Sequence, residues 1–475
     1  MKGSNPTRRS FLQKAAGASA WCMGLNRTVA WAAPEPEASV RAWATSDTQK
    51  LAEFPVGPWR EGPGQSGAAI HLDRTTSYQS VLGFGGAFTD ASCWLFSRMP
   101  APQRQELLED LFGPNGLRLS MGRIPMGASD YSRSIYSYDD STSPDPELKH
   151  FSIDHDREYI LPTLQAAASI NPEMFYFSTP WSPPGWMKTG RSMLGGCIHK
   201  DHFPAYAQYF VKFIQAYGAA GVHVRAVTSQ NEVDTDQDGR MPAAVWGQEY
   251  ETGFVSQFLG PAFEAAGIDT RIWILDHNYD LWGRVLDELS DPAVSRYVEG
   301  VAWHGYLGKP DAMTRVHDAF PSKSAYWTEG GPDITAPDYA TDWARWGGTF
   351  CGVFRNWARC AVSWNFLLDQ NGEPNTGPFH CGGMVTLDAR SQEIRRSGQY
   401  WALGHFSRYV RRGAKVIAST GSLPGLDHVA FLNPDGSRVL VIANSGAASE
   451  ATCVADNRHL SLSLPANSVV TLQWD

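Results

Sequence analysis

Two glutamates stand where predicted β-strands end and loops begin, and their types and spacing suit a two-carboxylate reaction. Glu232 closes the run 225–232, and Glu329 closes the run 324–329, 97 residues later. That spacing fits about three strand–helix units of a (β/α)8 barrel, which takes ~250 residues for eight. If the two runs are the fourth and seventh strands, both carboxylates point into the mouth where such barrels keep their chemistry. Two facing carboxylates are what glycosidic bond cleavage requires.

The residues around the two glutamates suit this chemistry. In a retaining reaction one carboxylate attacks the anomeric carbon, and the other protonates the leaving oxygen and later activates water, ~5–5.5 Å away. The acid needs burial or a nearby negative charge to raise its pKa. Asn231 could donate to a sugar hydroxyl, and Trp327 gives Glu329 an apolar wall. A lone Glu in a loop is usually a solvated surface residue, but the shared strand-end context favours the catalytic interpretation.

Two tryptophans are also predicted at strand ends. Trp181 lies in the run 178–186, and Trp364 lies in the run 362–365. Sugar rings present flat C–H faces that stack on indole, so Trp at a barrel mouth favours a carbohydrate ligand. Trp is equally common in protein cores, and for either residue alone a structural role is as well supported.

The elements that must position these residues alternate along residues 80–407. Helical patterns such as 102–113 and 202–217 separate the strand-like runs. The predicted strands are 80–86, 117–125, 173–179, 222–229, 271–276, 300–304, 324–329 and 361–366. Eight such units predict a closed barrel or a doubly wound sheet. The paired carboxylates favour the barrel, over residues 79–408.

The two ends of the chain differ from this middle part. Short strand-like runs divided by turn signals, such as Pro434–Gly436, fill the tail and predict an antiparallel β-sandwich over 409–475. Residues 34–78 are also strand-like and are predicted to join that sandwich. The fold class is therefore α/β: a (β/α)8 TIM barrel with an attached antiparallel β-sandwich domain.

The first 33 residues predict export. Arg8 and Arg9 precede a weakly apolar stretch and a small-residue cleavage site near Ala33, which is typical of a twin-arginine signal peptide. The exported protein would be periplasmic or extracellular. The whole chain has a net charge of −9, and this segment holds five Lys or Arg and no acid, so the rest carries about −14. Such acidity argues against nucleic acid and anionic membranes, and no later run is apolar enough for a membrane span.

Cysteines and metal-like motifs are expected to play no catalytic part. Cys351 and Cys360 are nine residues apart on a predicted helix, which places them on opposite faces and argues against a bond. The run 234–239 copies the start of a calcium loop but has Val245 where the closing Glu belongs. The cluster Cys197, His199 and His202 lacks a fourth ligand of suitable spacing. No metal and no cofactor are predicted.

Several motifs together resemble the glucosylceramidase-related glycoside hydrolases of family 30, from about Val81 to Tyr409. They are Gly83–Ala91, Arg123–Met126, Ser129-Asp130, Ser178–Pro183, Ser229–Glu232, Trp327–Gly330 and Trp364-Asn365. The resemblance implies the same barrel and sandwich and retaining cleavage of β-glycosides. It makes Glu232 the acid/base and Glu329 the nucleophile. It places Asp130, Trp181, Asn231 and Trp364 in the sugar subsite, and Tyr306 against the nucleophile with His304 nearby.

The chain departs from the glucosylceramidases at Gly305, where those enzymes have Trp, and the run 374–383 is closer to the polysaccharide-cleaving branches. We therefore expect hydrolysis of β-glucosides, with β-1,6-glucan or gluco-oligosaccharides as substrates. A β-xylanase or β-xylosidase on the same scaffold is the first alternative. A carbohydrate-binding protein without catalysis is the second. The sequence does not indicate the oligomeric state.

Overall fold

The computed structural model describes residues 40–62 and 69–475, so the predicted signal peptide over 1–33 lies outside the described residues. The described chain forms twenty-one strands and twelve α-helices. The strands are β1 (Arg41–Ser46), β2 (Gln49–Glu53), β3 (Arg60–Glu61), β4 (Ala69–Ser80), β5 (Gly83–Ala87), β6 (Met121–Pro125), β7 (Phe175–Thr179), β8 (Val224–Thr228), β9 (Arg271–Asn278), β10 (Val298–His304), β11 (Ser324–Glu329), β12 (Ala358–Ser363), β13 (Leu367–Asp369), β14 (Val385–Leu387), β15 (Ile394–Arg396), β16 (Lys415–Thr420), β17 (Leu426–Leu432), β18 (Arg438–Asn444), β19 (Ser449–Ala455), β20 (Arg458–Leu464) and β21 (Ser468–Trp474). The helices are α1 (Asp90–Arg98), α2 (Ala101–Phe112), α3 (Asp154–Arg157), α4 (Ile160–Ile170), α5 (Phe203–Ala219), α6 (Gln248–Phe254), α7 (Gly260–Ala266), α8 (Trp282–Ser290), α9 (Pro292–Ser295), α10 (Asp311–Ala319), α11 (Trp343–Arg355) and α12 (Gly398–Ser407).

Strands β5 to β12 close into a parallel barrel, with β12 pairing to β5. Two backbones approach closely at Gly85, where a Cβ would lie 1.9 Å from the carbonyl oxygen of Met121, so only glycine fits there. A plug of buried side chains, including Phe177, Trp273 and Tyr326, fills the barrel interior. Because the interior is filled, a substrate can reach the barrel only at its ends.

The predicted barrel is confirmed, and its strands differ from the predicted ones mainly at their ends. The eighth was predicted at 361–366 but runs from Ala358 to Ser363. Helix α11 ends at Arg355, and the chain reverses at Trp357, whose φ of 75° is left-handed. The prediction that one helix carries both Cys351 and Cys360 is therefore wrong, because Cys360 lies on β12. The described cysteines form no disulfide.

The predicted β-sandwich is also confirmed, and it draws strands from both ends of the described chain. The ten-stranded sheet has the order β2-β1-β21-β18-β17-β16-β4-β19-β20-β3. Alternate residues of β18 separate its two faces: Val439 and Val441 belong to the barrel-side core, whereas Leu440 and Ile442 belong to a second core within the sheet. Helices α11 and α12 thus pack between barrel and sandwich.

None of the helices in residues 40–62 and 69–475 is long and apolar enough to cross a bilayer.

Candidate active site

A pocket of about 470 Å³ contains both predicted carboxylates. It lies at the carboxyl ends of the barrel strands, the end at which barrels of this kind hold their active sites. Most of the predicted site residues line it: Asp130, Trp181, Asn231, Glu232, Tyr306, Glu329 and Trp364. The eighth predicted residue, His304, is fully buried and touches both glutamates. Tertiary structure therefore brings all eight predicted residues together.

Glu329 is the last residue of β11 and is held by two donors. The Tyr306 hydroxyl donates to Oε1 at 2.9 Å, and the Arg123 guanidinium donates to Oε2. Arg123 lies on β6 and is fully buried, so it is a fixed donor. One donor on each oxygen restricts rotation of the carboxylate and presents it to the pocket in a defined orientation.

A buried charge network supports this arrangement, and its centre is Asp276 on β9. Arg123 Nη2 donates to Asp276 Oδ2 at 2.7 Å and to Asn231 Oδ1 at 2.8 Å. Asp276 also accepts from three threonine hydroxyls, those of Thr179, Thr228 and Thr328, at 2.7–3.0 Å. Burial opposes its ionisation, but Arg123 and His304 hold the pKa of Asp276 far below its usual range. With His304, which bonds Asp276 from β10, the network ties six barrel strands together beneath the pocket.

The imidazole of His304 stands between the two candidate catalytic carboxylates. Its Nδ1 is 3.4 Å from Glu232 Oε1, and its Nε2 is 3.0 Å from Asp276 Oδ1 and 3.9 Å from Glu329 Oε2. Burial lowers the pKa of His304, but the three surrounding carboxylates together raise it to about 9. Without substrate the ring therefore carries a proton at neutral pH.

Glu232 follows β8 in a loop and has a φ of 49°, a left-handed conformation that non-glycine residues seldom adopt. Its backbone N–H donates to the Asp276 carbonyl at 3.1 Å, and Gln237 Nε2 donates to its side chain at 2.9 Å. The run 234–239, which copies a calcium loop, thus contacts this glutamate.

The sequence argument expected a raised pKa at Glu232, and this expectation is wrong for the substrate-free protein. Burial does raise the pKa of this carboxyl, but the neighbouring His304, His277 and Arg123 lower it by more. The result is a pKa below the ordinary value. The cations responsible come from three separate strands, so the local sequence gives no sign of them.

The two predicted tryptophans stack on each other, with ring centroids 5.0 Å apart and planes at 19°. Each side chain is only 2% exposed, so a small part of each ring reaches the pocket. The Arg123 guanidinium lies 4.7 Å from the Trp181 ring centroid. The pair therefore supports Arg123 as well as lining the pocket.

Asp130 is the buried polar group best placed to accept a hydrogen bond from a ligand. It is 4% exposed, and its Oδ1 has no hydrogen-bond partner among the described residues. Burial, with the charges of Glu329 and Glu232, raises the pKa of Asp130 well above the usual range. The raised pKa favours the protonated carboxyl, which can donate one hydrogen bond to a sugar hydroxyl and accept another from it.

Sequence reasoning missed Arg123, Asp276 and His277 as site residues. His277 Nε2 bonds Asp234 Oδ1 at 2.6 Å, and its Nδ1 faces Glu232 Oε1 at 3.8 Å. Arg123 and Asp276 lie within predicted strands, and His277 directly follows the strand predicted at 271–276. Charged residues inside runs that should be buried were the available signal, because such residues are seldom buried unless they are paired.

Comparison with known proteins adds independent evidence. The Glycosyl hydrolase family 30 TIM-barrel domain matches residues 81–410, and the family 30 beta sandwich domain matches residues 413–472. An endo-1,6-beta-D-glucanase of Neurospora crassa is 36% identical over 396 residues, covering 79% of this chain and 81% of the relative. The lysosomal acid glucosylceramidase of Mus musculus is 29% identical over 447 residues, covering 89% and 86%. The solved structure of the endo-beta1,6-glucanase BT3312 superposes with a TM-score of 0.83 at 30% identity, covering 92% of this chain and 99% of that one.

Proposed function

The chain belongs to glycoside hydrolase family 30, and from that membership we propose that it hydrolyses β-1,6-linked glucan by a two-carboxylate double displacement. One observation carries the proposal: Glu232 and Glu329 flank the same His304 imidazole within one pocket. The similarity to two endo-β-1,6-glucanases supports the choice of substrate.

In the first step, a Glu329 oxygen attacks the anomeric carbon while the bond to the leaving oxygen breaks. Glu232 gives its proton to that oxygen, and a glycosyl ester forms on Glu329. In the second step, water loses a proton to Glu232, its oxygen bonds the anomeric carbon, and the ester bond breaks. Two inversions leave the β configuration. Tyr306 and Arg123 keep the nucleophile oriented through both steps.

Glu232 must be protonated when substrate is bound, although its pKa is lowered in the free protein. Burial already acts to raise that pKa, and the side chain is still 15% exposed. A bound glucan covers this remaining surface and excludes water, which strengthens the effect of burial. The mechanism therefore requires that substrate binding moves Glu232 toward its acid form.

The Gly305 position supports a glucan over glucosylceramide. A Cβ there would lie 2.6 Å from the Trp327 ring, so this backbone has no room for the Trp that glucosylceramidases carry. The side chains beside it, Tyr306 and Leu307, are 40% and 60% exposed at the pocket rim. This part of the rim therefore differs from that of the glucosylceramidases.

The test is a substrate panel measured with the wild type and two variants. Linear β-1,6-glucan, β-1,3-glucan, β-1,4-xylan and glucosylceramide are offered in parallel, and NMR follows the anomer formed first. We expect β-1,6-glucan to be the best substrate and the β anomer to appear first. Preference for xylan or glucosylceramide would refute the proposed substrate, and initial formation of the α anomer would refute the retaining mechanism.

Variants of Glu329 and Glu232 test the proposed roles of these residues as nucleophile and acid/base. Glu329→Gln should abolish hydrolysis of every substrate, because the nucleophile is gone. Glu232→Gln should lose glucan hydrolysis but retain cleavage of aryl β-glucosides whose leaving groups need no proton. Glu249→Gln, at an exposed position on α6, is the matched control and should behave as wild type. Sugar binding that survives in both variants, without turnover in the wild type, would favour the carbohydrate-binding alternative.

We also propose that residues 1–33 direct export through a twin-arginine pathway. The support is the Arg8-Arg9 pair ahead of a weakly apolar stretch. Replacing both arginines by lysine should retain the protein inside the producing cell. Unchanged export of the double variant would contradict this signal type.

A further inference from the structure

Three metal-ligand side chains converge beside the pocket. Glu232, His277 and His304 each offer one ligand atom, and these atoms all lie within 4.8 Å of one another. They come from the loop after β8 and from the ends of β9 and β10. The spacing of these residues in the sequence does not predict the cluster, because each residue belongs to a different strand–helix unit of the barrel.

The distances in this cluster are long for hydrogen bonds and suitable for ligands around an ion. Glu232 Oε1 lies 3.4 Å from His304 Nδ1 and 3.8 Å from His277 Nδ1, whereas N–H···O bonds usually measure ~2.7–3.2 Å. Two ligands bound at ~2.0–2.1 Å in a tetrahedron are ~3.3 Å apart. His277 is 6% exposed, and its Nδ1 has no hydrogen-bond partner among the described residues.

Each histidine is oriented by a second carboxylate, as metal-binding histidines usually are. His277 Nε2 bonds Asp234 Oδ1 at 2.6 Å, and His304 Nε2 bonds Asp276 Oδ1 at 3.0 Å. In both rings Nε2 is thus occupied and Nδ1 is turned toward Glu232.

The local charge also favours a dication. An ion bound to His304 Nδ1 takes the place of the proton on that ring. Four carboxylates, those of Glu232, Asp234, Asp276 and Glu329, then face the ion and the guanidinium of Arg123. Glu232 and His277 line the pocket, so an ion can enter from solvent.

The geometry points to an inhibitory Zn²⁺ site formed by Glu232 Oε1, His277 Nδ1 and His304 Nδ1. Two imidazoles and one carboxylate form a donor set that suits Zn²⁺. An ion there occupies the Glu232 oxygen that the proposed mechanism needs for proton transfer. Zn²⁺ thus acts as a reversible inhibitor and not as a cofactor.

The test measures binding separately from activity. Calorimetric titration of the full chain with ZnCl₂ gives stoichiometry and affinity in the wild type, His277→Ala, Glu232→Gln and His202→Ala. We expect one Zn²⁺ per chain, with affinity reduced at least about tenfold in the first two variants. His202→Ala, which removes an imidazole outside the cluster, should bind as wild type. Inhibition of the wild type by Zn²⁺ should be relieved by a chelator.

Equal affinity in all four proteins, or no saturable binding in the wild type, would overturn the site. Glu232→Gln is nearly isosteric and keeps the test available if His277→Ala does not fold. Because calorimetry needs no turnover, a protein that binds Zn²⁺ at these residues but hydrolyses no glucan would refute the proposed function alone. Hydrolysis that Zn²⁺ binding leaves unaffected would refute the inhibitory role.

Discussion

Removal of the Tyr306 hydroxyl tests whether the orientation of Glu329 limits the reaction. In Tyr306→Phe the 2.9 Å bond to Glu329 Oε1 is lost, while Arg123 still holds Oε2. The carboxylate can then rotate away from the attack direction. A hydrogen bond to a charged group contributes about 1.5–3 kcal/mol, and 1.36 kcal/mol corresponds to a factor of ten in rate. We therefore expect kcat on β-1,6-glucan to fall about 10- to 100-fold.

The assay is steady-state hydrolysis of β-1,6-glucan and of an aryl β-glucoside. Both should lose kcat to a similar extent, because Glu329 attacks the anomeric carbon of both substrates and its orientation does not depend on the leaving group. Tyr306 is 40% exposed, so the free energy of unfolding should change little. Tyr78→Phe, at a tyrosine of similar exposure (41%) on β4, is the control for losing a phenol. A kcat within twofold of wild type in Tyr306→Phe would refute the orienting role.

Three further predictions concern packing, pH and substrate binding. Gly85→Ala should destabilise the protein by more than about 3 kcal/mol or prevent folding, because its Cβ would lie 1.9 Å from the Met121 carbonyl oxygen. The control Gly283→Ala lies in open space on α8 and should instead stabilise the protein by about 0.5–1 kcal/mol, measured by urea unfolding. Similar changes in the two variants would contradict the packing argument. Burial lowers the pKa of His405 to about 3, so this histidine takes up a proton at higher pH in the unfolded chain than in the folded protein. The free energy of unfolding should therefore fall as pH drops from about 6.5 to 3, by up to about 1.4 kcal/mol per pH unit. An equally steep fall in His405→Gln would exclude this histidine as the cause. Asp130→Asn should keep kcat/KM within a few-fold of wild type, because a raised pKa favours the neutral carboxyl, which the amide resembles, whereas Asp130→Ala should lose about tenfold. A loss in Asp130→Asn as large as in Asp130→Ala would show that the charge is needed.

The buried charges explain why this site should tolerate few changes. Arg123 and Asp276 are both fully buried, and removal of either partner would leave the other charge without compensation, at a cost of about 3–5 kcal/mol. Variants of either residue would therefore lose stability as well as activity. Tyr306 and Asp130 report on catalysis and binding more directly, because neither belongs to that ion pair.

Much of the fold and part of the site could be predicted from the sequence. The alternation of strands and helices predicted the barrel, and turn signals in the tail predicted the sandwich, because both patterns are local. Glu232 and Glu329 were identifiable because a polar residue at a strand end is visible within a few positions. The family motifs pointed to the same two glutamates. The eighth strand was misplaced by about three residues, because the left-handed φ at the reversal falls on Trp357, a bulky residue that seldom adopts it, and not on the neighbouring Asn356.

Only the tertiary structure determined the buried charge network around those glutamates. Arg123, Asp276 and His304 lie on the second, fifth and sixth barrel strands and meet because the closed sheet brings those strand ends together. Closure also decided the ionisation of the site: the cations that lower the pKa of Glu232 reach it from other strands. Electrostatic interactions depend on distance in space and on burial, and neither quantity can be read from separation along the chain. The sequence alone therefore specified which groups could react, and the closed barrel set their protonation, orientation and support.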